Sequence, residues 1–438
     1  MHLAPLRLFL SAALAWMTLV QPAAAVNLVR DADIEHSLSQ LANPILRAAG
    51  LNPSNVRILV VNDSGMNAFV INGRAIFIHS GLIQRLDSAE QLQSVIAHEA
   101  AHIANGHIQR RLTNLRGANS AAGFGIALAL AVAIAGDNSA AAGVAAGAAG
   151  AAQRQFFAHT RAEESAADQS SIRFMLNAGV NPAGALEVLD LFRGQEALSV
   201  SRQDPYARTH PLTSDRIRAL RGLVAANPGT ATSNPNADFW FARAQGKLSA
   251  FTQNPGWTLR RVRGDTSPIG VMRAAVAYHR QADANRAIQN MQALLAQYPS
   301  DAYWHELFGQ ILLESRQPGP AVAAYQRAVD LAPNEPLILG GYGRALLAVN
   351  SADSNARAVR ALERARDRDG QSGAILRDLG QAYARTGQPG LASLATAERY
   401  ALQGRLDDAV LHATRAADRL PRGSAPWQRA QDVLLAVQ

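Results

Sequence analysis

Apolar positions recur along this chain with two periods, and the switch between them marks its elements. From Asp31 to about Gly50 the spacing is that of one helix face, and Val56–Val61 follows as a short apolar run ending at the turn-prone Asn62-Asp63-Ser64-Gly65, which predicts a strand. Ala68-Phe69-Val70-Ile71 and Ala75-Ile76-Phe77-Ile78 predict two more, joined across Asn72-Gly73, a hairpin signal. A helix comes next. Ser88 is placed to cap it, Gln91 to complete a capping box, and Leu92, Val95, Ile96 and Ile103 form its apolar stripe.

Further on, residues 118–152 consist mainly of Ala, Gly, Val, Leu and Ile, interrupted at Gly136-Asp137-Asn138-Ser139. Each apolar half is shorter than the ~20 residues of a spanning helix. Three readings stay open: small-residue helices packed on the core, a hydrophobic hairpin in peripheral contact with a membrane, or a roof over a substrate cleft. After about Asn227 the composition changes, and Pro228 and Asn234-Pro235 mark a linker that with the first helices of a repeat region spans 227–267. Over 268–438 landmarks recur: Ala287 and Ala321 stand 34 residues apart, as do Pro299 and Pro333, which is the tetratricopeptide period. The fullest copy holds Trp304, Leu307, Gly309, Ala321, Tyr325, Ala328 and Pro333. Repeats of this kind stack into a concave surface suited to peptide or protein partners.

The first residues carry a different pattern. Arg7, the apolar stretch from Leu8 to Val20 and the small residues Ala23-Ala24-Ala25 predict a signal peptide over 1–25, cleaved after Ala25. The expected site of action is the periplasm. A length of 438 residues, 48% hydrophobic and without cysteine, fits two or three globular domains and excludes disulfide scaffolds and thiolate metal sites. The formal charge of +8 is carried almost wholly by arginine, Lys247 being the one lysine. Scattered arginines, expected export and the lack of an aromatic-basic platform argue against a nucleic-acid partner.

His98-Glu99-Ala100-Ala101-His102 places two imidazoles one helical turn apart, able to share one metal ion, with Glu99 beside them as general base and acid toward the attacking water. Catalytic zinc takes about three protein ligands and keeps one position open. Glu164, in the acidic segment Arg161 to Asp168, is the expected third, and Asp168, one turn later, is placed to bind the outer nitrogen of a ligand histidine. Glu163 falls about 100° off that face and reads as solvated. His107, nine positions beyond His98, falls about 180° away on an ideal helix and reads as structural. His210, in Thr209-His210-Pro211-Leu212, lies in a polar turn before a helix starting near Ser214, and is open between approaching the metal and approaching a tetrahedral intermediate. His79 and His159 have no assignable partner.

Together, Asn67-Ala68-Phe69, Gly81-Leu82, His98 to His102 with trailing His107, and Glu164-Ser165-Ala166-Ala167-Asp168 resemble the zinc metalloproteases that include the prenyl-protein CAAX protease and the HtpX stress protease. With the leader and the repeats, the chain looks like the BepA-type periplasmic subgroup. The resemblance implies a mainly α, α+β fold: a gluzincin-type helical metalloprotease domain with a small sheet over 26–226, then an α-solenoid. It implies one zinc per chain on His98, His102 and Glu164, with Glu99 catalytic, Asp168 behind the ligands, and His210 entering the metal shell in a self-inhibited state. Ala166 departs from relatives that often carry a second glutamate there, a position outside the ligand set. The implied substrates are unfolded or misfolded envelope proteins, and the implied partner of the repeats is the outer-membrane β-barrel assembly machinery. Two functions stay open: a zinc endopeptidase, whose hairpin edge strand could bind extended substrate and to which the resemblance adds a chaperone-like role in outer-membrane assembly, or a non-proteolytic adaptor acting through its repeats.

Overall fold

The computed structural model describes residues 28–110, 160–195, 198, 202–211, 213–227 and 234–436. The expected signal peptide over 1–25 and the apolar insert over 118–152 lie outside these residues, as do His159 and Leu212.

The apolar runs read as strands form a four-stranded sheet, β1 (Leu28–Val29), β2 (Arg57–Val61), β3 (Ala68–Asn72) and β4 (Ala75–His79), in the order β1-β2-β4-β3. β2 and β4 are parallel and the outer pairs antiparallel, which leaves β3 on an edge. The hairpin turns over Gly73-Arg74, one residue later than the Asn72-Gly73 signal. Asn72 stays in the strand, and its Oδ1 accepts from the Arg74 N–H at 2.9 Å.

Helix α1 (Ala32–Ala48) is started by Asp31, whose carboxylate accepts from the Ile34 N–H. After α2 (Ser80–Arg85) comes α3 (Ala89–Ala104), where Ser88 Oγ accepts from the Gln91 N–H at 3.2 Å. The Gln91 side chain reaches back one residue further than expected, to the Asp87 N–H at 2.8 Å. Gly81 has a steric explanation: a Cβ there would stand 2.1 Å from the Ser64 carbonyl oxygen, because the turn after β2 crosses directly over it. Next come α4 (Arg161–Asn177), α5 (Ala183–Leu191), α6 (Pro205–Thr209), α7 (Ser214–Ala226) and α8 (Pro235–Thr252). Thr160 and Glu163 form a capping box at α4, so Glu163 is half-buried and accepts from the Thr160 N–H at 3.1 Å. Leu38 and Ile45 of α1, Val60, Ile76 and Ile78 of the sheet, Val95 and Ile96 of α3, and Phe241 and Leu248 of α8 share one core.

Short α9 (Pro255–Arg261) leads into helical pairs: α10 (Pro268–Arg280) with α11 (Ala284–Gln297), α12 (Ala302–Glu314) with α13 (Pro318–Leu331), and α14 (Pro336–Val349) with α15 (Ala352–Arg368). Their first helices start at Pro268, Ala302 and Pro336, so the 34-residue period of the landmarks is the period of the helix pairs. The longer α15 breaks that period ahead of α16 (Gly373–Arg385), α17 (Pro389–Leu402), α18 (Leu406–Ala417) and α19 (Ala425–Ala436). Trp304, Leu307, Ala321, Tyr325 and Ala328 are buried within the solenoid, as that repeat requires. Among the described residues no helix is long and apolar enough to cross a membrane.

Buried charge joins the two parts. Arg243 of α8 pairs with Asp33 of α1 at 2.5 Å and with Asp301, the cap of α12, at 2.6 Å. Lys247, the single lysine, is fully buried and pairs with Asp31 at 2.9 Å. On the far side Arg30 joins Glu35 and Asp369, each at 2.6 Å.

Candidate metal centre

The four-residue spacing on α3 points His98 and His102 the same way, with their Nε2 atoms 3.1 Å apart. Helix α4 packs across α3 and brings Glu164 opposite them, its Oε2 3.4 Å from His98 Nε2 and its Oε1 3.4 Å from His102 Nε2. His210, just after α6, completes the group, with Nδ1 3.0 Å from Glu164 Oε1 and 3.3 Å from His98 Nε2. All four residues are buried. The nearest donor pairs therefore measure 3.0 to 3.4 Å, with Glu164 offering Oε2 to His98 and Oε1 to His102 and His210, and one donor atom from each residue lies within 4.8 Å of every other. A tetrahedron whose centre lies about 2.0–2.1 Å from nitrogen and oxygen corners has edges of about 3.3 Å. The nearest pairs thus approach that spacing, and three imidazoles with one carboxylate are a donor set that suits a zinc-sized cation.

Charge leads to the same conclusion. Burial opposes a charge on His98, but hydrogen bonds with Asp168 and Glu164 and their negative charge raise its pKa to about 10. Anions that draw a proton onto a fully buried imidazole form a site that a divalent ion satisfies. Glu164 is likewise buried, yet the nearby His210 and Arg216 hold its carboxyl well below the usual range. It is a carboxylate, ready to ligate.

The surrounding contacts orient these donors. His98 Nδ1 lies 3.1 Å from Asp168 Oδ1, the contact expected from the Glu164–Asp168 spacing. That bond leaves the His98 Nε2 lone pair facing the centre. His210 Nε2 lies 3.2 Å from the Ala68 carbonyl oxygen of edge strand β3 and donates to it, which turns its Nδ1 lone pair inward. The residues before it contact the segment leading into that strand: the Tyr206 N–H donates to the Met66 carbonyl at 3.1 Å, and Thr209 Oγ1 donates to Asn67 Oδ1 at 3.2 Å. Glu99 stands apart from the ligand set. It is fully buried, neither carboxylate oxygen has a hydrogen-bond partner, and His210 Nε2 lies 3.4 Å from one of them. Burial raises its pKa, so it is suited to taking a proton from a reactant that enters beside it.

Two residues gain a place the sequence reading did not assign. Arg216 of α7 contacts Glu164 Oε2 at 2.6 Å and Asp168 at 2.5 and 2.9 Å, and its Nη1 donates to the Pro211 carbonyl at 3.3 Å. One guanidinium therefore fastens two acidic residues and the His210 segment. Its only local signal is the capping Thr213 three positions earlier, whose Oγ1 accepts from the Arg216 N–H. The second is His107. It is not turned away from the centre: its Nδ1 lies 2.9 Å from His102 Nδ1. The ideal-helix extrapolation fails because α3 ends at Ala104 and Gly106, at φ +67°, redirects the chain. His79 also has a neighbour, Asp63, at 3.6 Å.

Residues 29–224 match the profile of peptidase family M48. The chain is 24% identical over 419 residues to the beta-barrel assembly-enhancing protease of Yersinia pestis, covering 93% of this chain and 84% of the relative. The protein of that name from Escherichia coli (strain K12) is also 24% identical, over 92% of this chain and 82% of its own length. Metalloprotease LoiP of Escherichia coli (strain K12) is 26% identical over 200 residues, 43% of this chain and 70% of LoiP. Among solved structures, the double mutant of MamA from RS-1 overlaps 38% of this chain and 94% of its own, at 19% identity and a TM-score of 0.33.

Proposed function

Proceeding from a peptidase family M48 domain over residues 29–224, we propose that this chain is a zinc-dependent endopeptidase of the periplasm that degrades unfolded or stalled envelope proteins and aids outer-membrane assembly. One observation carries the catalytic part: four clustered, buried metal-ligating residues beside Glu99, a buried carboxylate whose oxygens have no hydrogen-bond partner. When bound, zinc supplies Lewis acidity toward a carbonyl oxygen and toward water. His98, His102 and Glu164 would hold the ion, and Asp168 fixes the His98 ring. Glu99 takes the proton of the attacking water and passes it to the leaving amine. An extended substrate pairs its backbone with edge strand β3, so that side-chain preference is loose.

In the arrangement described, His210 stands in the donor cluster, where it would take the corner otherwise left for water, and the segment from Tyr206 to His210 lies along the start of β3. This is a closed state, and peptide entry requires that segment to withdraw. The repeats deliver substrate or dock to the assembly machinery. The relatives named for β-barrel assembly, the 34-residue helix pairs and the leader-like first residues support this cellular placement. The closed corner also favours a second reading, in which the centre stays shut and the repeats alone act as an adaptor.

Metal analysis of the purified mature chain, joined to digestion of an unfolded protein such as casein, tests the proposal. About one zinc per chain is expected, with digestion abolished by a chelator and restored by added zinc. A metal-free chain, or digestion indifferent to chelation, rejects it.

A further inference from the structure

The two histidines of α3 are supported from behind in different ways. His98 has the Asp168 carboxylate at 3.1 Å, while His102 has a third imidazole, that of His107, with Nδ1 to Nδ1 at 2.9 Å and the rings edge-on at 68°. His107 is 2% exposed, and Ile108 after it sits in the core, so the ring is held in place.

Two like nitrogens at this separation require one to carry hydrogen and the other a lone pair. The His102 Nε2 faces His98 and Glu164 in the donor cluster and must keep its lone pair there to ligate, so its hydrogen sits on Nδ1. His107 Nδ1 is therefore the acceptor, and the His107 hydrogen is on Nε2. We propose that His107 is a positioning residue of the metal centre, which accepts a hydrogen bond from the His102 Nδ1–H, fixes that ligand's tautomer and ring orientation, and tightens the hold on the ion. This inference rests on the metallopeptidase reading above.

The charge balance explains why the acceptor is an imidazole. Glu99, Glu164 and Asp168 as carboxylates are matched by the guanidinium of Arg216 and the two charges of the ion, all at buried positions. A second carboxylate behind His102 would leave one negative charge without a counter-charge in a dry site. A neutral acceptor orients the ring at no such cost. Its placement depends on Gly106, whose φ of +67° returns the chain toward His102.

Zinc affinity of the full chain, measured by competition with a chromogenic chelator, tests this assignment. His107→Ala is expected to weaken zinc binding about 10- to 100-fold, the usual loss when a partner behind a ligand is removed. His107→Asn, whose Oδ1 falls near the place of Nδ1 and also accepts, is expected to recover most of that loss. Wild-type affinity in His107→Ala overturns the proposal. Equal weakening in both variants, with equal loss of metal-free thermal stability, also overturns it and leaves His107 a packing role. If the wild-type chain itself fails to bind zinc, the metallopeptidase reading falls and this inference with it, whereas a zinc-binding wild type with indifferent variants sinks the inference alone.

Discussion

Glu99→Gln is expected to lower the rate of peptide cleavage by about 10²- to 10⁴-fold, the range supplied by a positioned general base and acid, while zinc stays bound at about one ion per chain. Glutamine keeps the size of the side chain and removes both its charge and its ability to accept a proton. The four donors are untouched, because Glu99 is not one of them. The native carboxylate is fully buried with both oxygens lacking a hydrogen-bond partner, a costly arrangement for a group that serves only the fold. The Glu99→Gln variant is therefore expected to fold at least as stably as the native chain, and the loss appears in kcat, not in KM. Steady-state cleavage of a quenched peptide, with metal content measured on the same samples, reads both quantities. Unchanged cleavage would remove Glu99 from the chemistry. Full rescue of envelope integrity in cells by the inactive variant would transfer the biological role to the repeats.

The buried cluster was legible where spacing alone determines geometry. One helical turn separates His98 from His102 and another separates Glu164 from Asp168, so each pair had to share a face whatever the rest of the chain did. The repeat was legible for a similar reason, since each pair of helices buries the same landmarks 34 residues later. Legibility ended where the backbone leaves ideal geometry or where a partner is distant in sequence. The rotation that sent His107 away from the metal assumed a helix that continues past Ala104, and the Asn105-Gly106 pair was the signal that it stops. Arg216 lies 48 residues from Asp168 and is one of many arginines, so no local pattern marks it as the one turned inward. The turn of the hairpin moved by one residue because the Asn72 side chain bonds the Arg74 N–H and holds Asn72 in the strand.

The largest stability effect is expected at the joint between enzyme and repeats. Arg243→Ala should cost about 3–5 kcal/mol, the usual consequence of removing one partner from a buried ion pair. The guanidinium is 1% exposed, holds Asp33 and Asp301, and lies 4.3 Å from the centre of the Trp304 ring. Without it Asp33, which is fully buried, retains only Lys247, whose ammonium is 3.7 Å away and already committed to Asp31. Burial pushes Asp301 up, yet hydrogen bonding and charge from Arg243 hold it below the ordinary range near 3.8. Its pairing energy is therefore fully present above that value and is lost as pH falls through the lower folded-state value. Arg243→Ala should accordingly flatten the acid limb of the stability curve as well as lower its plateau. The double variant Arg243→Met with Asp33→Asn is expected to recover part of the loss, because it leaves fewer uncompensated buried charges than Arg243→Ala alone. Denaturant midpoints across pH 2 to 8 check both statements, and a loss below about 1 kcal/mol, the scale of an exposed pair, would refute them. Because Asp33 belongs to α1 of the enzyme core and Asp301 caps the repeat helix α12, this loss should also separate one unfolding transition into two, with the enzyme domain unfolding apart from the repeats. Buried charges thus reinforce the apolar contacts of α8 at this joint, and a variant that loosens them should keep cleavage of short peptides while losing cleavage of substrates that must be held by the repeats.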